Sequence, residues 1–385
     1  MDKKVIIIGR NFPAYRKAIF DSLNQKVRLL VLYTKNKSDI KSVNTSYSKT
    51  IAHWHYGKKE NQVLLFPLRE IIKHKPKIVI CELALGILNL PIIMISCKIM
   101  KIKFAFWSHG YNRKTGFNPR ISWSDKYRLM LLRATDAILI YGENDKIILQ
   151  KYLDSEKIFV AQNTIDTTKL SSIRNRLEKQ GIDFIKAKNN IIHKFNIIYI
   201  SRMISSKKPE LLIEIYELLK EKYHLDVGIH LVGDGQMLDI IKEKVNVKGY
   251  MKDFYFYGAV HDDNINGQLL FISDIMANPG DLGLSINYAF SFNCPVISFK
   301  KKNGYPAHGP EIDYLINNQT GFLVLPHTVE ALSLTINNYL INSKLKAKIR
   351  QNVRHFADAE FPLSKMVDGI LSCVTYLDKS KKKIV

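Results

Sequence analysis

Four cysteines at positions 81, 97, 294 and 373 share no short spacing, so neither a disulfide framework nor a Cys-ligated metal is expected. No apolar run reaches the ~20 residues that span a bilayer. The longest, Leu83 to Cys97, is broken by Asn89 and Pro91. The run Val5–Gly9 behind Lys3 and Lys4 is too short for a signal peptide and reads as a first buried strand. A reducing cytoplasm is the expected home. Acidic residues are also scarce: 35 Asp and Glu face 58 Lys and Arg, a net charge of +23. Such a surface seeks phosphorylated substrates, anionic lipid or nucleic acid, or it reflects a Lys-rich proteome. The basic residues are spread out and no nucleic-acid module is recognisable, so a nucleic-acid partner is not expected.

What is present is a rhythm of short β-branched runs and longer helical patterns, the mark of α/β folding with parallel sheets. In the first half, strands are expected at Val5–Ile8, Val27–Tyr33, Val63–Phe66, Lys77–Cys81, Lys103–Trp107, Asp136–Tyr141 and Lys157–Ala161. A polar stretch from Thr167 to Lys194 reads as the boundary. Beyond it the rhythm restarts at Phe195–Ile200, Val227–Val232, Phe254–Tyr257, Ile272–Met276, Pro295–Phe299 and Phe322–Leu325, with helices at Pro209–Tyr223, Val329–Phe356 and Pro362–Leu377. Two doubly wound domains, 1–190 and 191–361, accommodate a chain of 385 residues. The tail Asp378–Val385 reads as solvated.

Two loops carry candidate chemistry. Strand Phe195–Ile200 runs into Ser201-Arg-Met-Ile-Ser-Ser-Lys-Lys208, which puts Arg202 and Lys207 at a carboxyl edge where a diphosphate can be gripped. A solvated basic loop is the plain alternative. Asn278-Pro-Gly-Asp-Leu-Gly-Leu-Ser-Ile-Asn-Tyr288 offers a second anion cradle: Gly280 and Gly283 allow close backbone approach, and a helix opening near Leu284 or Ser285 aims N–H groups outward. A glycine pair before a helix is also a common turn. Asp262-Asp263 lacks a third ligand at suitable spacing, and no metal is expected.

An ordered series of motifs makes the second half resemble glycosyltransferase family 4, of GT-B architecture. Ser201-Arg202 with Lys207 is similar to the family's Gly-Arg…Lys loop, and Leu231-Val-Gly-Asp-Gly235 to its strand-end Val-Gly-Asp-Gly. Tyr257-Gly-Ala-Val260, Ser273-Asp-Ile275, Gly309-Pro-Glu311 and Thr320-Gly-Phe322 continue the register. One departure stands out: the family's two glutamates, with seven residues between them, read Gly280 and Tyr288 here, and Asp281 is one residue out of register. The altered loop, Pro-Gly-x-x-Gly-Leu, resembles a subgroup found in surface-polysaccharide synthesis.

The resemblance implies a retaining glycosyltransferase with two Rossmann-like domains facing a cleft. It would use a UDP- or GDP-sugar as substrate, and no cofactor. Arg202 and Lys207 would clamp the diphosphate. Gly280, Asp281, Gly283, Leu284, Ser285, Tyr288 and Glu311 would line the donor side. His109, closing Phe104-Ala-Phe-Trp-Ser-His109, stands where the family places a histidine facing the donor sugar. Asn163-Thr-Ile-Asp166 resembles a junction motif and reads as a turn. Arg10, Tyr15 and Arg16 lie where the acceptor-side loop would be; a solvated loop is their plain reading. The expected acceptor is a glycan on a lipid diphosphate, met at the inner face of the plasma membrane. Helix Ser124–Arg133, with Trp123, Tyr127 and Met130, reads as an interfacial surface or as ordinary packing. The rival function is a catalytically inactive GT-B nucleotide-binding or regulatory protein, suggested by the absent glutamates. The last helix is expected to cross back onto the first domain.

Overall fold

The computed structural model describes residues 3–34, 42–56 and 61–380. It divides into two compact units, residues 1–166 with 363–385, and residues 167–362.

In the first unit, β-branched runs form β1 (Lys4–Gly9), β2 (Arg28–Tyr33) and β3 (Ser48–Thr50), then a small antiparallel hairpin of β4 (His53–His55) and β5 (Gln62–Leu64). Next come β6 (Ile78–Glu82), β7 (Lys103–Ser108), β8 (Ala137–Ile140) and β9 (Ile158–Val160). Seven of these pair in parallel in the order β3-β2-β1-β6-β7-β8-β9. An all-parallel sheet needs cover on both faces, and this one has it. One core packs β-strand residues against helices Lys17–Lys26 and Leu363–Lys379; the other packs them against helices Pro67–His74, Leu90–Ile99 and Trp123–Ala134. Helix Leu363–Lys379 sits so close to β9 that a Cβ on Gly369 would stand 2.1 Å from the Val160 carbonyl oxygen.

The second unit holds β10 (Phe195–Ile200), β11 (Val227–Val232), β12 (Phe254–Gly258), β13 (Ile275–Ala277), β14 (Val296–Phe299) and β15 (Gly321–Val324). They pair in parallel as β12-β11-β10-β13-β14-β15. Counted within the unit this is the 3-2-1-4-5-6 order of dinucleotide-binding sheets.

Several expectations are corrected. The polar stretch Thr167–Lys194 is not a linker: it forms helices Thr167–Gln180 and Ile182–Lys188, which bury Leu170, Ile173, Leu177 and Ile185 in the second unit. The division therefore falls at Asp166 rather than near residue 190. Ile272 ends a helix, Asp263–Ile272, because Asp262 caps its start and the Ser273 hydroxyl bonds the Leu269 carbonyl at 2.6 Å. Val63–Phe66 contributes only to the hairpin, since Phe66 adopts a left-handed φ of 62° before the helix at Pro67. Val329–Phe356 is two helices, Val329–Ile341 and Ser343–Glu360, separated where the Asn342 side chain caps the second. The helix expected from Pro209 runs Leu211–Glu217 and loosens into a π-turn at Leu218–Lys222. At the chain end the helix continues to Lys379; residues 381–385 lie outside the described residues.

Candidate active site

In each sheet the strand order reverses once, between β1 and β6 in the first unit and between β10 and β13 in the second. Loops leaving adjacent strands there part in opposite directions and open a crevice at the carboxyl edge. The candidate residues gather at these two places.

In the second unit, the segment after β10 carries Arg202, which is exposed, and a single 3-10 turn, Ser205–Lys207. The segment after β13 comes back against it. The Asp281 N–H bonds the Ser206 carbonyl at 3.1 Å, and the Lys207 ammonium bonds the Asp281 carbonyl. Burial lowers the Lys207 pKa, opposed by Asp281, reinforced by the charge of Arg202, and opposed again by Glu311. Gly280 lies flat on this turn: a Cβ would meet the Ser206 carbonyl oxygen at 2.4 Å and the Lys207 Cα at 2.5 Å. The position that reads as a missing glutamate therefore has no room for a side chain.

The Asp281 carboxylate accepts from the Ala307 N–H at 2.6 Å, so it ties the loop after β13 to the loop after β14. His308 does the same from the other side. Its Nδ1 accepts from the Leu282 N–H at 3.1 Å while its Nε2 donates to the Phe299 carbonyl at 2.9 Å. Both roles require the neutral ring, and burial holds its pKa down at about 4. Glu311 is buried in the turn Pro310–Tyr314, one oxygen lying 2.3 Å from where a Gly309 Cβ would be. Gly283 faces open space, and the short helix Ser285–Ser291 begins after Leu284 without a side-chain cap. Tyr288 directs its hydroxyl to Asp263 at 3.0 Å, which also holds Lys169 at 2.6 Å. Asn278, wholly buried at the carboxyl end of β13, has an amide with no partner among the described residues. No group of three His, Cys, Asp or Glu suited to a metal occurs among the described residues.

In the first unit a cavity of about 280 Å³ is lined by Arg10, Glu82, Trp107, His109, Arg128 and Tyr141, among others. Arg10, just past β1, grips Glu82 at the end of β6 through its Nε at 2.9 Å, its NH2 at 2.6 Å and its backbone N–H at 2.8 Å. That pair bridges the switch point. Arg16 bonds the Tyr141 hydroxyl at 2.8 Å and lies 4.8 Å over the Trp107 ring, with Tyr15 at 5.8 Å. His109 packs on Tyr141 with centroids 4.8 Å apart. Its ring borders solvent through the cavity yet is hemmed in by protein. Burial first, then the cations Arg113 and Arg16, hold its pKa at about 4, so the imidazole is neutral near pH 7. Arg10 and His109 thus share one pocket, and Arg16 stands against its Trp107 and Tyr141 walls with Tyr15 beside it. Glu82, Trp107 and Tyr141 were not singled out from the sequence; their signal was position at the end of a parallel strand.

Residues 181–356 match the family model described as glycosyl transferases group 1. That match lies within the second unit and covers a little under half of the chain. Among curated proteins, the chain is 22% identical over 251 residues to a poly(ribitol-phosphate) α-N-acetylglucosaminyltransferase of Staphylococcus aureus. That alignment covers 64% of this chain and only 46% of the relative, so the chain spans about half of that protein's length. Two solved structures share the fold over almost the whole chain. One is a glycosyltransferase of Rickettsia africae, with a TM-score of 0.71, 18% identity, and 99% and 100% of the two chains covered. The other is the HepE protein of Anabaena, solved with UDP and glucose, with a TM-score of 0.67, 15% identity, and 97% and 100% covered. The fold is GT-B, with two Rossmann-like units.

Proposed function

We propose that the protein is a retaining glycosyltransferase that moves a sugar from a UDP- or GDP-sugar to a glycan or lipid-diphosphate-linked acceptor in surface-polysaccharide synthesis. The observation that carries this reading is the junction at the β10/β13 switch point, where Lys207 and Arg202 stand beside a donor loop inside the segment that matches the group 1 model.

In this reading, Arg202 and Lys207 hold the diphosphate. As the bond from the anomeric carbon to the diphosphate oxygen breaks, their charge offsets the charge that develops on the leaving group. The buried Asn278 amide supplies a polar contact that the protein itself does not satisfy. Gly283, Leu284 and Ser285 offer backbone to the donor, and Glu311 acts beside Lys207. Neutral His109 serves as a hydrogen-bonding group to the sugar rather than as a proton store. Arg10, Tyr15 and Arg16 belong to the acceptor side. Transfer needs no metal, and the acceptor is met at the inner, anionic membrane surface. Support for a cell-surface glycan comes from the named activity of the staphylococcal relative.

The test is thermal stabilisation and sugar hydrolysis against UDP-, GDP-, CMP- and dTDP-sugars, with Arg202→Ala and Lys207→Ala as controls. Stabilisation by one nucleotide class that the double variant loses is expected. No stabilisation of the wild type, or equal stabilisation of the double variant, would remove the donor site. Stabilisation without turnover on any acceptor would leave the inactive-binder reading.

A further inference from the structure

A helix that covers a sheet normally turns polar residues to water. Helix Leu90–Ile99 does not. Leu90, Ile93, Met94 and Cys97 fill the core beneath it, and the opposite face carries Ile92, Ile95 and Ile99, spaced i, i+3 and i+7. Ile99 is 76% exposed. Exposed Leu88 lies one turn ahead of Ile92. Helix Trp123–Ala134 repeats the arrangement: Leu129, Leu131 and Leu132 point inward, while Trp123, Tyr127 and Met130 point outward at i, i+4 and i+7. Ile121 and Trp123 are 83% and 81% exposed.

The two outward stripes belong to one surface. These helices connect β6 to β7 and β7 to β8, adjacent strand pairs, and both contribute to the same core cluster. Successive right-handed crossovers in one direction fall on one face of a sheet. The other helical layer of this unit, Lys17–Lys26 and Leu363–Lys379, exposes no large apolar side chain among the described residues. Of the two helical layers, only the one that holds Leu90–Ile99 and Trp123–Ala134 exposes such side chains among the described residues.

Charge identifies what covers it. From Leu83 to Thr135 the chain has nine Lys and Arg and one acid, Asp125. That acid is buried and paired with Arg128 at 2.5 Å. Lys98, Lys101, Lys114, Arg120, Lys126 and Arg133 remain exposed around the stripes, and the Lys126 ammonium lies 5.0 Å from the Trp123 ring. A second copy would bring these cations against their own kind. A bilayer with anionic headgroups satisfies both features at once: apolar side chains enter the headgroup–acyl boundary, tryptophan sits at its level, and the cations meet phosphates.

We propose that this face of the first unit, the outer sides of helices Leu90–Ile99 and Trp123–Ala134, is a docking surface for an anionic lipid bilayer. It names the surface behind the membrane partner of the proposed function and rests on that reading for its purpose, while its chemistry stands on these residues alone.

The experiment is co-sedimentation of the full chain with vesicles of phosphatidylcholine and phosphatidylglycerol in a three-to-one ratio, and with phosphatidylcholine alone. Binding to the anionic vesicles is expected to be at least about tenfold stronger and to weaken as salt rises from about 0.1 M to about 0.5 M. The Ile95→Glu, Trp123→Glu double variant should lose at least about tenfold, whereas Ile240→Glu on the second unit should lose nothing. Trp123 emission should shift to the blue on the vesicles, a signal absent from Trp123→Phe; this needs no disruptive substitution. Failure of the wild type to bind, or equal binding by the double variant, overturns the proposal. So does a wild-type dimer that Ile95→Glu splits without any vesicle binding, since a second copy would then cover the face. Nucleotide-sugar stabilisation, measured on the same samples, separates the two readings: vesicle binding without it would sink the enzyme and leave the surface.

Discussion

A Cβ placed on Gly280 would stand 2.4 Å from the Ser206 carbonyl oxygen and 2.5 Å from the Lys207 Cα and carbonyl carbon. Carbon atoms in good contact sit about 3.5–4 Å apart, so Gly280→Ala must open the two loops by roughly 1 Å. All three obstructing atoms are backbone, and no rotamer change relieves them. Overpacking of this kind costs about 1–3 kcal/mol, and in a unit of this size each kcal/mol lowers Tm by roughly 2–4 °C. The displacement falls on the residue whose ammonium bonds the Asp281 carbonyl, so donor affinity should fall at least about tenfold, equivalent to about 1.4 kcal/mol. Gly283→Ala is the control: its Cβ would meet nothing within 4 Å, and its stability should stay within about 0.5 kcal/mol of wild type. Thermal melting and calorimetric titration with a UDP-sugar read both effects. If Gly280→Ala melted like Gly283→Ala and bound the UDP-sugar like the wild type, the packing argument would be refuted. Gly280→Glu, which restores the family's acid, should be worse than alanine.

Three further outcomes are expected. His308 is held neutral at about 4, below its ordinary 6.5, so the unfolded chain takes up a proton that the fold resists; its contribution is full above about pH 6.5 and is lost as pH falls through about 4, amounting to about 3 kcal/mol. Melting curves across that window should show the loss, and His308→Gln should flatten it. His109→Ala should lower kcat/KM by about 10²-fold as one polar contact to the reacting sugar disappears, and wild-type activity should show no limb near pH 6.5 belonging to His109; such a limb, abolished by the substitution, would contradict a neutral imidazole. Tyr288→Phe should cost about 0.5–1.5 kcal/mol for the bond to Asp263 while leaving nucleotide affinity unchanged; a tenfold loss on titration would make Tyr288 a donor contact instead.

The strands were the most legible part of the sequence. Phe195–Ile200 and Val227–Val232 were read to the residue, because strands buried on both faces are mostly apolar runs, interrupted here only by Asn196, Gly228 and His230. The division of the chain was not legible, since helix Thr167–Gln180 is polar on its outer face and helix Ile182–Lys188 buries only Ile185, so little but the buried stripe of the first marks them as part of a core. The placement of Arg202 and Lys207 at a carboxyl edge could be read because a strand end, a basic loop and a helix start follow one another in the chain. Glu82 and Tyr141 could not, because they meet Arg10 and Arg16 only through strand order: 72 residues separate Arg10 from Glu82, and 125 separate Arg16 from Tyr141. The apolar run Leu83–Cys97 was visible, but its meaning lay in which residues face outward, and that depends on the sheet beneath.

The glycines of the second unit read differently once the strand order is known. A Cβ on Gly233 would lie 1.9 Å from the Ser201 carbonyl oxygen, one on Gly235 would lie 2.6 Å from that of Met203, and one on Gly280 would lie 2.4 Å from that of Ser206. Gly233 and Gly235 follow β11 and Gly280 follows β13, the two neighbours of β10, so the segment leaving β10 is pressed from both sides. The backbone adds to this grip: the Met203 N–H bonds the Asp234 carbonyl at 2.8 Å, and the Met237 N–H bonds the Met203 carbonyl at 2.9 Å. The Val-Gly-Asp-Gly motif and the glycine in place of a glutamate therefore share one physical cause, a clamp segment nested between two backbones. Arg202 and Lys207 are held by that nesting rather than by side-chain partners of their own strand. A substitution at any of the three glycines should accordingly act on donor binding through the position of Lys207, and the Gly233 and Gly235 variants should do so even though their own side chains are confined against Ser201 and Met203.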